Sequence, residues 1–455
     1  MAGAPRSFDV AAFLDGRALS AFNYRIIILS WFITVFDGLD LMMISFTAPY
    51  LKDSFALTKP MLGNLFAAGT AGQILGGFLF CYIADRIGRR PTIIGTSFLF
   101  GVLTIATAFA HDYPQLLALR FVDGLAIGGM LPIAWALNIE FVPRRMRATI
   151  VTVIMLGYSI GSAGAGPITN WIAPVHGWQG VYVAGGIGTL ACAILLLIGL
   201  PESVRFLVGR GIRPARVAAT LHRLQPDLNL TGSEHFVLGD ERDAARSFHV
   251  RELFQGDLAI ITPLLWIGYM ASALAIFGSS AWSPSLLEEL KVPRHTAALI
   301  SSTGGLLAAL AGLTLMRLTE RRGPRWIALY PALAVPVLLA LGLGFAPAGG
   351  FLPVVVLGST LLGGGHAAII SIAGVYYPSA IRANGGGWAT SVAKFGGVVG
   401  PLIGGWMLAS GMPLLHAYAF LAICPAILCL AVLGIAATLQ RRRVFTPDAA
   451  VYPAV

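Results

Sequence analysis

From residue 24 to residue 438 the chain alternates long apolar stretches with short polar segments. A helix that crosses the hydrocarbon core of a bilayer needs about 20 mostly apolar residues. Stretches of that kind run over 24–51, 60–84, 91–110, 114–141, 148–173, 178–200, 258–287, 296–317, 325–346, 351–377, 384–410 and 414–438. Several are rich in glycine, as membrane helices in close contact often are. Only 201–257 is both long and polar, and it divides the spans six and six. The expected plan is a cytoplasmic tail (1–21), a six-helix bundle (22–200), a cytoplasmic linker (201–257), a second six-helix bundle (258–440) and a cytoplasmic tail (441–455). The fold class is an all-α integral membrane protein with twelve transmembrane helices.

Charge agrees with that class. Charged residues make up 11% of the chain, against about 25% in a soluble domain. So little charge could not cover a soluble surface, which excludes an ordinary cytosolic enzyme, a disordered chain and a nucleic-acid binder. The net charge of +10 comes mostly from arginines in loops. All but six of the 31 Lys and Arg fall in segments that face one side. The exceptions are Lys52, Lys59, Lys291 and Arg294 on the opposite side, and Arg120 and Lys394 inside spans. The positive-inside rule therefore predicts that both termini are cytoplasmic. Four cysteines sit in apolar runs without partners at metal spacing, so neither a disulfide framework nor a metal site is expected. The first 21 residues carry Asp9 and Asp15 and lack an apolar core, unlike a cleavable signal peptide.

The two halves repeat. At an offset of 235, Trp31 meets Trp266, Pro49 meets Pro284, and Gly69 and Gly77 meet Gly304 and Gly312. Asp85-Arg86 meets Glu320-Arg321, Gly88 meets Gly323, and Gly128-Gly129 meets Gly363-Gly364. Arg147-Ala148 meets Arg382-Ala383, and Gly161 meets Gly396. Repeats in the same orientation predict two pseudo-symmetric bundles that rock about a central site.

The loop Ala84-Asp85-Arg86-Ile87-Gly88-Arg89-Arg90 resembles the signature loop of the major facilitator superfamily. Cys81 stands where that family usually has glycine. Arg120-Phe121-Val122-Asp123-Gly124 is similar to its Arg-bearing fourth-helix motif. Asp37-Gly38-Leu39-Asp40, Pro201-Glu202-Ser203-Val204-Arg205-Phe206-Leu207, Tyr376 to Asn384, Gly387-Trp388 and Gly400-Pro401-Leu402-Ile403-Gly404-Gly405 together resemble the bacterial aromatic acid:proton symporter family. The resemblance runs from about residue 22 to 438. It implies the major facilitator fold and carriage of benzoates, hydroxybenzoates, muconate or related acids.

Candidate chemistry lies inside the spans. Asp37 and Asp40 are i, i+3 on the first span, so both project from one face. An ionised Asp at mid-helix costs about 2.5–3.5 kcal/mol on an insertion scale, so intramembrane carboxyls default to function. The pair would titrate as a unit and is the proton-coupling candidate, in preference to a packing hydrogen bond. The resemblance points to the same pair. Arg120 and Asp123 are either part of the substrate site or a locally neutralised pair that orients helices. The resembling family more often has an uncharged residue at Asp123.

Lys394 lies near the middle of the eleventh span, where a four-carbon stem cannot easily reach water. It is the candidate anchor for a substrate carboxylate, or else a helix-to-helix partner of Asp37 or Asp40. The family usually has Arg there; Lys keeps the charge but loses the two-pronged grip. His366 follows three glycines and is either a ligand or a satisfied core donor. Tyr158, Ser162, Tyr269, Trp282, Ser302 and Trp388 could line a pocket for a flat ring, or simply pack.

The repeated loops supply gating candidates: Asp85, Arg86, Gly88, Arg89 and Arg90 in one half, Glu320, Arg321 and Arg322 in the other. Acid at a helix end and Arg one turn on can bridge helices when the cytoplasmic side is shut. Glu140 is expected to bridge to the loop after it, although the resemblance counts it as functional. Arg147 and Arg382 recur at the repeat offset at the cytoplasmic edge and read as structural gate residues. Neither a nucleophile–base set nor a phosphate-cradling loop is present in the sequence, so no enzyme and no cofactor are expected, and a gradient should supply the driving force.

The leading expectation is proton-coupled uptake of an aromatic or related organic acid anion across the bacterial inner membrane by a monomer. Export, or carriage of a sugar, dicarboxylate or drug, is the alternative. Gly166-Pro167-Ile168-Thr169-Asn170-Trp171 lacks the glycine pair that often ends the corresponding exporter motif, which favours symport. A receptor that binds without transport is disfavoured by retention of both repeated loops.

Overall fold

The computed structural model describes residues 7–445 except 212–213, 229, 231, 233, 240–248, 346–349 and 378–381. For 148, 320, 324, 371–376, 382–384 and 440–445 it describes the backbone alone. The membrane part is helical throughout. We label the spans α1 (Ala21–Phe55), α2 (Lys59–Ile87), α3 (Arg89–Thr107) and α4 (Tyr113–Gly128, continued by Met130–Ile139). Next come α5 and α6, the two parts of Arg147–Gly199, then α7 (Leu258–Glu289), α8 (Arg294–Arg322) and α9 (Leu329–Gly342). The last are α10 (Phe351–Tyr376), α11 (Arg382–Ala409) and α12 (His416–Leu421 and Ile423–Phe445). Arg147–Gly199 is too long for one crossing at about 1.5 Å per residue. Gly177, at φ 68° and ψ −179°, breaks it into two, in agreement with the spans expected from the apolar pattern.

Polar residues mark the helix starts. Thr58 caps α2 through Met61 N (3.4 Å) and Asp112 caps α4 through Gln115 N (2.8 Å). Gly88 and Gly323 end α2 and α8 at φ 113° and 94°, a conformation that disfavours any residue with a Cβ. The repeated loops therefore share a backbone conformation as well as a sequence.

Within each half, glycine lets paired helices touch. A Cβ on Gly161 (α5) would lie 1.9 Å from the carbonyl oxygen of Val35 (α1). A Cβ on Gly396 (α11) would lie 2.4 Å from that of Met270 (α7). Both residues of the second pair stand 235 positions after those of the first, so the repeat is structural. The halves meet along two seams. On α2–α11, Gly63 faces the carbonyl of Pro401, and Gly405 faces that of Lys59. On α5–α8, Asn170 Nδ2 donates to His295 O at 3.0 Å.

The N-terminal segment and the linker, expected as a tail and a loop, pack together on the terminal face. Strand β1 (Ser7–Asp9) pairs in parallel with β2 (His235–Val237). Val10 and Leu14 of the helix Val10–Asp15 bury against Val217, Leu221 and Leu224 of the helix Pro214–Leu224. The apolar stripe of that linker helix needs a cover, and the short N-terminal helix supplies it. Asp15 bonds Arg144 at 3.1 Å, and Arg210 donates to Asp85 O at 3.0 Å, fixing this layer to the first half. At the other end of the linker, Leu253 is buried in the second half, and its carbonyl accepts from Thr262 Oγ1 at 2.6 Å.

Candidate functional site

The polar centre of the first half is built from α1 and α4. Arg120 Nη1 donates to Asp40 Oδ1 and Oδ2 at 3.1 and 3.2 Å and to Asp123 Oδ2 at 2.9 Å. Asp40, Arg120 and Asp123 are 1%, 2% and 0% exposed. Thr104 of α3 donates to Asp123 Oδ1 at 3.4 Å. A charge buried this deeply is sustained only by a bonded partner, and here one cation serves two acids.

Asp37 stands one turn from Asp40 and is 2% exposed, but its Oδ2 has no hydrogen-bond partner among the described residues. Lys394 of α11 is half-buried and reaches over the seam to α2: a Cβ on Gly77 would lie 3.5 Å from its Nζ. The two carboxyls grouped together in the sequence thus differ in their partners: Asp40 is bonded to Arg120, and Asp37 Oδ2 is not bonded among the described residues.

The other candidates divide between the seam and the interiors of the halves. Tyr158 of α5 is half-buried beside Asp37, and its carbonyl touches Gly38. Ser162 donates to Gly38 O at 3.1 Å. Ser302 is buried against Gly166 on the α5–α8 seam and has no hydrogen-bond partner for its hydroxyl. His366 Nδ1 lies 3.0 Å from Ser272 Oγ, and its ring packs edge-on to Phe277. The glycines before it accommodate Ala308, Tyr330 and Pro331 of neighbouring helices, and α10 stays continuous.

Tyr269 is wholly buried in the core of the second half and donates to Ile370 O at 2.7 Å. Trp282 donates to Pro401 O at 2.9 Å, about two turns outward along α11 from Lys394. It lines a crevice within the second half, with Ser283, Ser359, Gly404, Tyr418 and Cys424. Trp388 stacks on Trp266, which packs on Phe254 of the linker, at the terminal face.

The loop of the first half is densely bonded. Arg89 pairs with Asp85 at 3.1 Å and Glu140 at 3.4 Å. Arg90 donates to the carbonyls of Leu200 and Leu197, both at 2.7 Å, and the Arg86 guanidinium lies over the Tyr82 ring. Burial raises the Glu140 carboxyl above its usual range, and the Ser203 hydroxyl, which donates to it, and Arg89 act against that shift. Arg147 opens α5. In the second half, Arg321 is exposed and Arg322 lies over the Trp326 ring. The side chains of Glu320 and Arg382 lie outside the described residues.

Two sets of residues escaped the sequence reading. Glu202 Oε1 accepts from the backbone nitrogens of Arg89, Arg90 and Ser203 at 3.0, 3.3 and 2.8 Å. It caps the start of α3 from a distant part of the chain, so the Pro201–Leu207 motif that contains it did not reveal this role. On the face opposite the termini, Glu289 bonds Lys52 and Lys59 at 3.5 and 2.8 Å, and Arg294 bonds Asp53 and Glu288 at 3.2 and 2.9 Å. Among the described residues, every ion pair that joins the halves lies on this far face. The repeat offset could have found them, because Lys59 corresponds to Arg294 and Asp53 to Glu288.

Known proteins share this arrangement. The chain matches the profile of the Major Facilitator Superfamily over residues 30–226 and 265–450. It is 30% identical over 410 residues to the 4-hydroxybenzoate transporter PcaK of Pseudomonas putida, covering 89% of this chain and 91% of that protein. It is also 30% identical over 407 residues to the gallate transporter of the same species, covering 89% and 90%. Among solved structures, an inward-facing, occupied bacterial homolog of the human lysosomal transporter Spinster aligns with a TM-score of 0.72 at 16% identity, over 93% of this chain and 98% of that one. The partially occluded inward-open xylose transporter XylE from E. coli aligns at 0.68 and 18%, over 90% and 97%. These last two share the fold. Two six-helix halves related by one offset, a buried polar centre in the first of them and a family match over most of the length agree: the chain is a multi-pass membrane transporter, not an enzyme, and belongs to the Major Facilitator Superfamily.

Proposed function

We propose that the protein carries an aromatic carboxylate, of the benzoate or hydroxybenzoate kind, into the cytoplasm together with protons. The observation that carries this reading is a buried carboxyl oxygen without a hydrogen-bond partner, Asp37 Oδ2, in one half, and the Lys394 ammonium reaching over the seam from the other. A cation and an acid at membrane depth form a site that an anionic substrate and a proton can occupy together. The incoming carboxylate takes the Lys394 ammonium, and a proton neutralises the Asp37 carboxyl left behind. Each change compensates a charge that would otherwise stay buried alone. Only the doubly loaded or the empty site is electrically balanced, so the rocking step is coupled to both.

The aromatic ring of the substrate is accommodated by Tyr158 of the first half and by Phe277 and His366, whose rings pack edge-on in the second. The likeness to the 4-hydroxybenzoate and gallate transporters supports the substrate class. The bias of Lys and Arg supports termini in the cytoplasm of a bacterial inner membrane. In that orientation the far-face ion pairs hold the outer side shut, and the bonded loop of the first half belongs to the inner gate. One chain supplies both halves, so a monomer suffices.

The test is uptake of labelled benzoate and 4-hydroxybenzoate by proteoliposomes with an alkaline interior. Accumulation that a protonophore abolishes is expected. Equal uptake with and without the pH gradient would remove proton coupling from the reading.

A further inference from the structure

The crevice of the second half lies between α7, α10, α11 and α12, apart from the charged centre. Its lining on α7 runs from Leu274 to Leu286, about 18 Å by helical rise. On α11 it begins at Gly400, about 9 Å outward from Lys394. At this inner end α7 and α11 touch: a Cβ on Gly400 would lie 2.6 Å from Leu274 O, and one on Gly278 would lie 3.4 Å from Gly400. Phe420 of α12 also lines the crevice and is 41% exposed, so the space is reached from outside the bundle.

No lining residue is charged. An ionised carboxylate would be buried there without a cation, so this is not a second site for the transported anion. The polar side chains of the lining are satisfied within the protein, with one exception. Trp282 Nε1 donates to Pro401 O at 2.9 Å, and the Ser283 and Ser301 hydroxyls bond each other at 2.7 Å. Ser279 and Ser359 donate to carbonyls of their own helices. Tyr418 is 8% exposed, and its hydroxyl is buried without a hydrogen-bond partner among the described residues. A buried hydroxyl is rarely left so. Tyr418 is the third residue of the helix His416–Leu421, and aromatic side chains lean toward the start of their helix, here the far face. Its ring meets Phe351, the first residue of α10, edge-on at 6.4 Å. The unpaired hydroxyl thus belongs to the outer end of the crevice, and the glycine contact closes an apolar inner end.

We propose that this crevice binds an uncharged amphiphile: a slender apolar chain lying along α7 and α11, with a hydrogen-bond acceptor at its outer end that takes the Tyr418 hydroxyl. The length of the lining suits a chain, and the lack of charge selects a neutral head. The order of the wall, hydroxyl outward and apolar floor inward, matches the way an amphiphile stands in the far leaflet. An acyl chain of a membrane lipid with its ester carbonyl and a free long-chain alcohol share this chemistry. Occupancy joins four helices of one half, so it stabilises that half by mass action and leaves the seam untouched. The site stands whether or not the transport reading does.

The test uses 11-bromoundecanol on the full-length protein in bilayers, with Trp282 as the reporter, because bromine quenches the fluorescence of an indole beside it. Quenching should saturate, and the saturable part should vanish in Trp282→Phe. Tyr418→Phe should raise the half-saturating concentration about two- to twelvefold, the net worth of one hydrogen bond. Ser359→Leu, which fills the crevice from α10, should abolish the saturable part and serves if Tyr418→Phe does not fold. Bilayers of brominated phosphatidylcholine separate the two sources. Quenching of Trp282 before any alcohol is added, relieved by undecanol, identifies a lipid chain as the occupant; its absence, with saturable quenching by the alcohol, identifies a free amphiphile. Quenching that rises linearly with the alcohol and equally in all variants is partition into the bilayer and would overturn the site. Saturable quenching that Tyr418→Phe leaves unchanged would overturn the role of the hydroxyl.

Discussion

Lys59 Nζ lies 2.8 Å from Glu289 Oε2, so the first residue of α2 and the last residue of α7 close the far face across the seam. Arg294 reaches back to Asp53 at 3.2 Å. Lys59 and Arg294 are equivalent by the repeat, and each half thus lends a cation to the acids of the other. Partly exposed pairs of this kind contribute about 0.2–1 kcal/mol each.

The Glu288→Gln/Glu289→Gln double variant should therefore favour opening of the far face. Labelling of a cysteine placed by Leu290→Cys with an impermeant maleimide should rise by up to about fivefold per pair lost. High salt should produce part of the same effect in the parent protein. Unchanged labelling in both conditions would show that packing alone closes this face.

Lys394→Gln should weaken binding of benzoate more than that of benzamide. A charge-assisted buried contact is worth about 1.5–3 kcal/mol, so the difference should be about tenfold or more. Lys394→Arg should be tolerated, since the charge survives. Equilibrium binding to each purified variant measures this, and equal losses for acid and amide would reduce Lys394 to a helix-packing residue.

Asp37→Asn should abolish accumulation against a pH gradient while exchange of internal for external acid continues. The amide keeps the shape and cannot release a proton. Wild-type accumulation in this variant would move the coupling proton elsewhere.

Arg89→Ala and Arg322→Ala should slow turnover with little change in substrate affinity, because both lie in loops at the terminal face. Arg89→Ala should be the more severe. It removes pairs to both Asp85 and Glu140, whereas Arg322 contributes a ring contact with Trp326. The comparison needs initial rates and binding constants side by side; a large loss of affinity with unchanged exchange would contradict gating.

Gly161→Ala should destabilise the protein by about 1–3 kcal/mol, the usual range for overpacking. Its new Cβ would collide with the Val35 carbonyl. Gly95→Ala, on α3, is the control, since nothing lies within 4 Å of its Cβ position. Thermal unfolding in detergent should separate the two variants clearly.

The span count, the division into halves, the 235-residue repeat and the class of residue at the centre could all be read from the chain. Apolar length, loop charge and recurring glycines are local or periodic properties, and a bilayer translates them directly into topology. The repeat matched Gly161 with Gly396, and the two make equivalent contacts in the structure. Pairing among the buried charges could not be read. Asp37 and Asp40 share a helix face and looked equivalent, yet α4 delivers Arg120 to Asp40 and leaves Asp37 Oδ2 without a partner among the described residues. Glu202 capping α3, Glu289 joining α2, and the N-terminal segment pairing with the linker likewise join positions far apart in sequence. Such partners are set by which helix faces meet at a seam, and helix packing, not residue spacing, decides that.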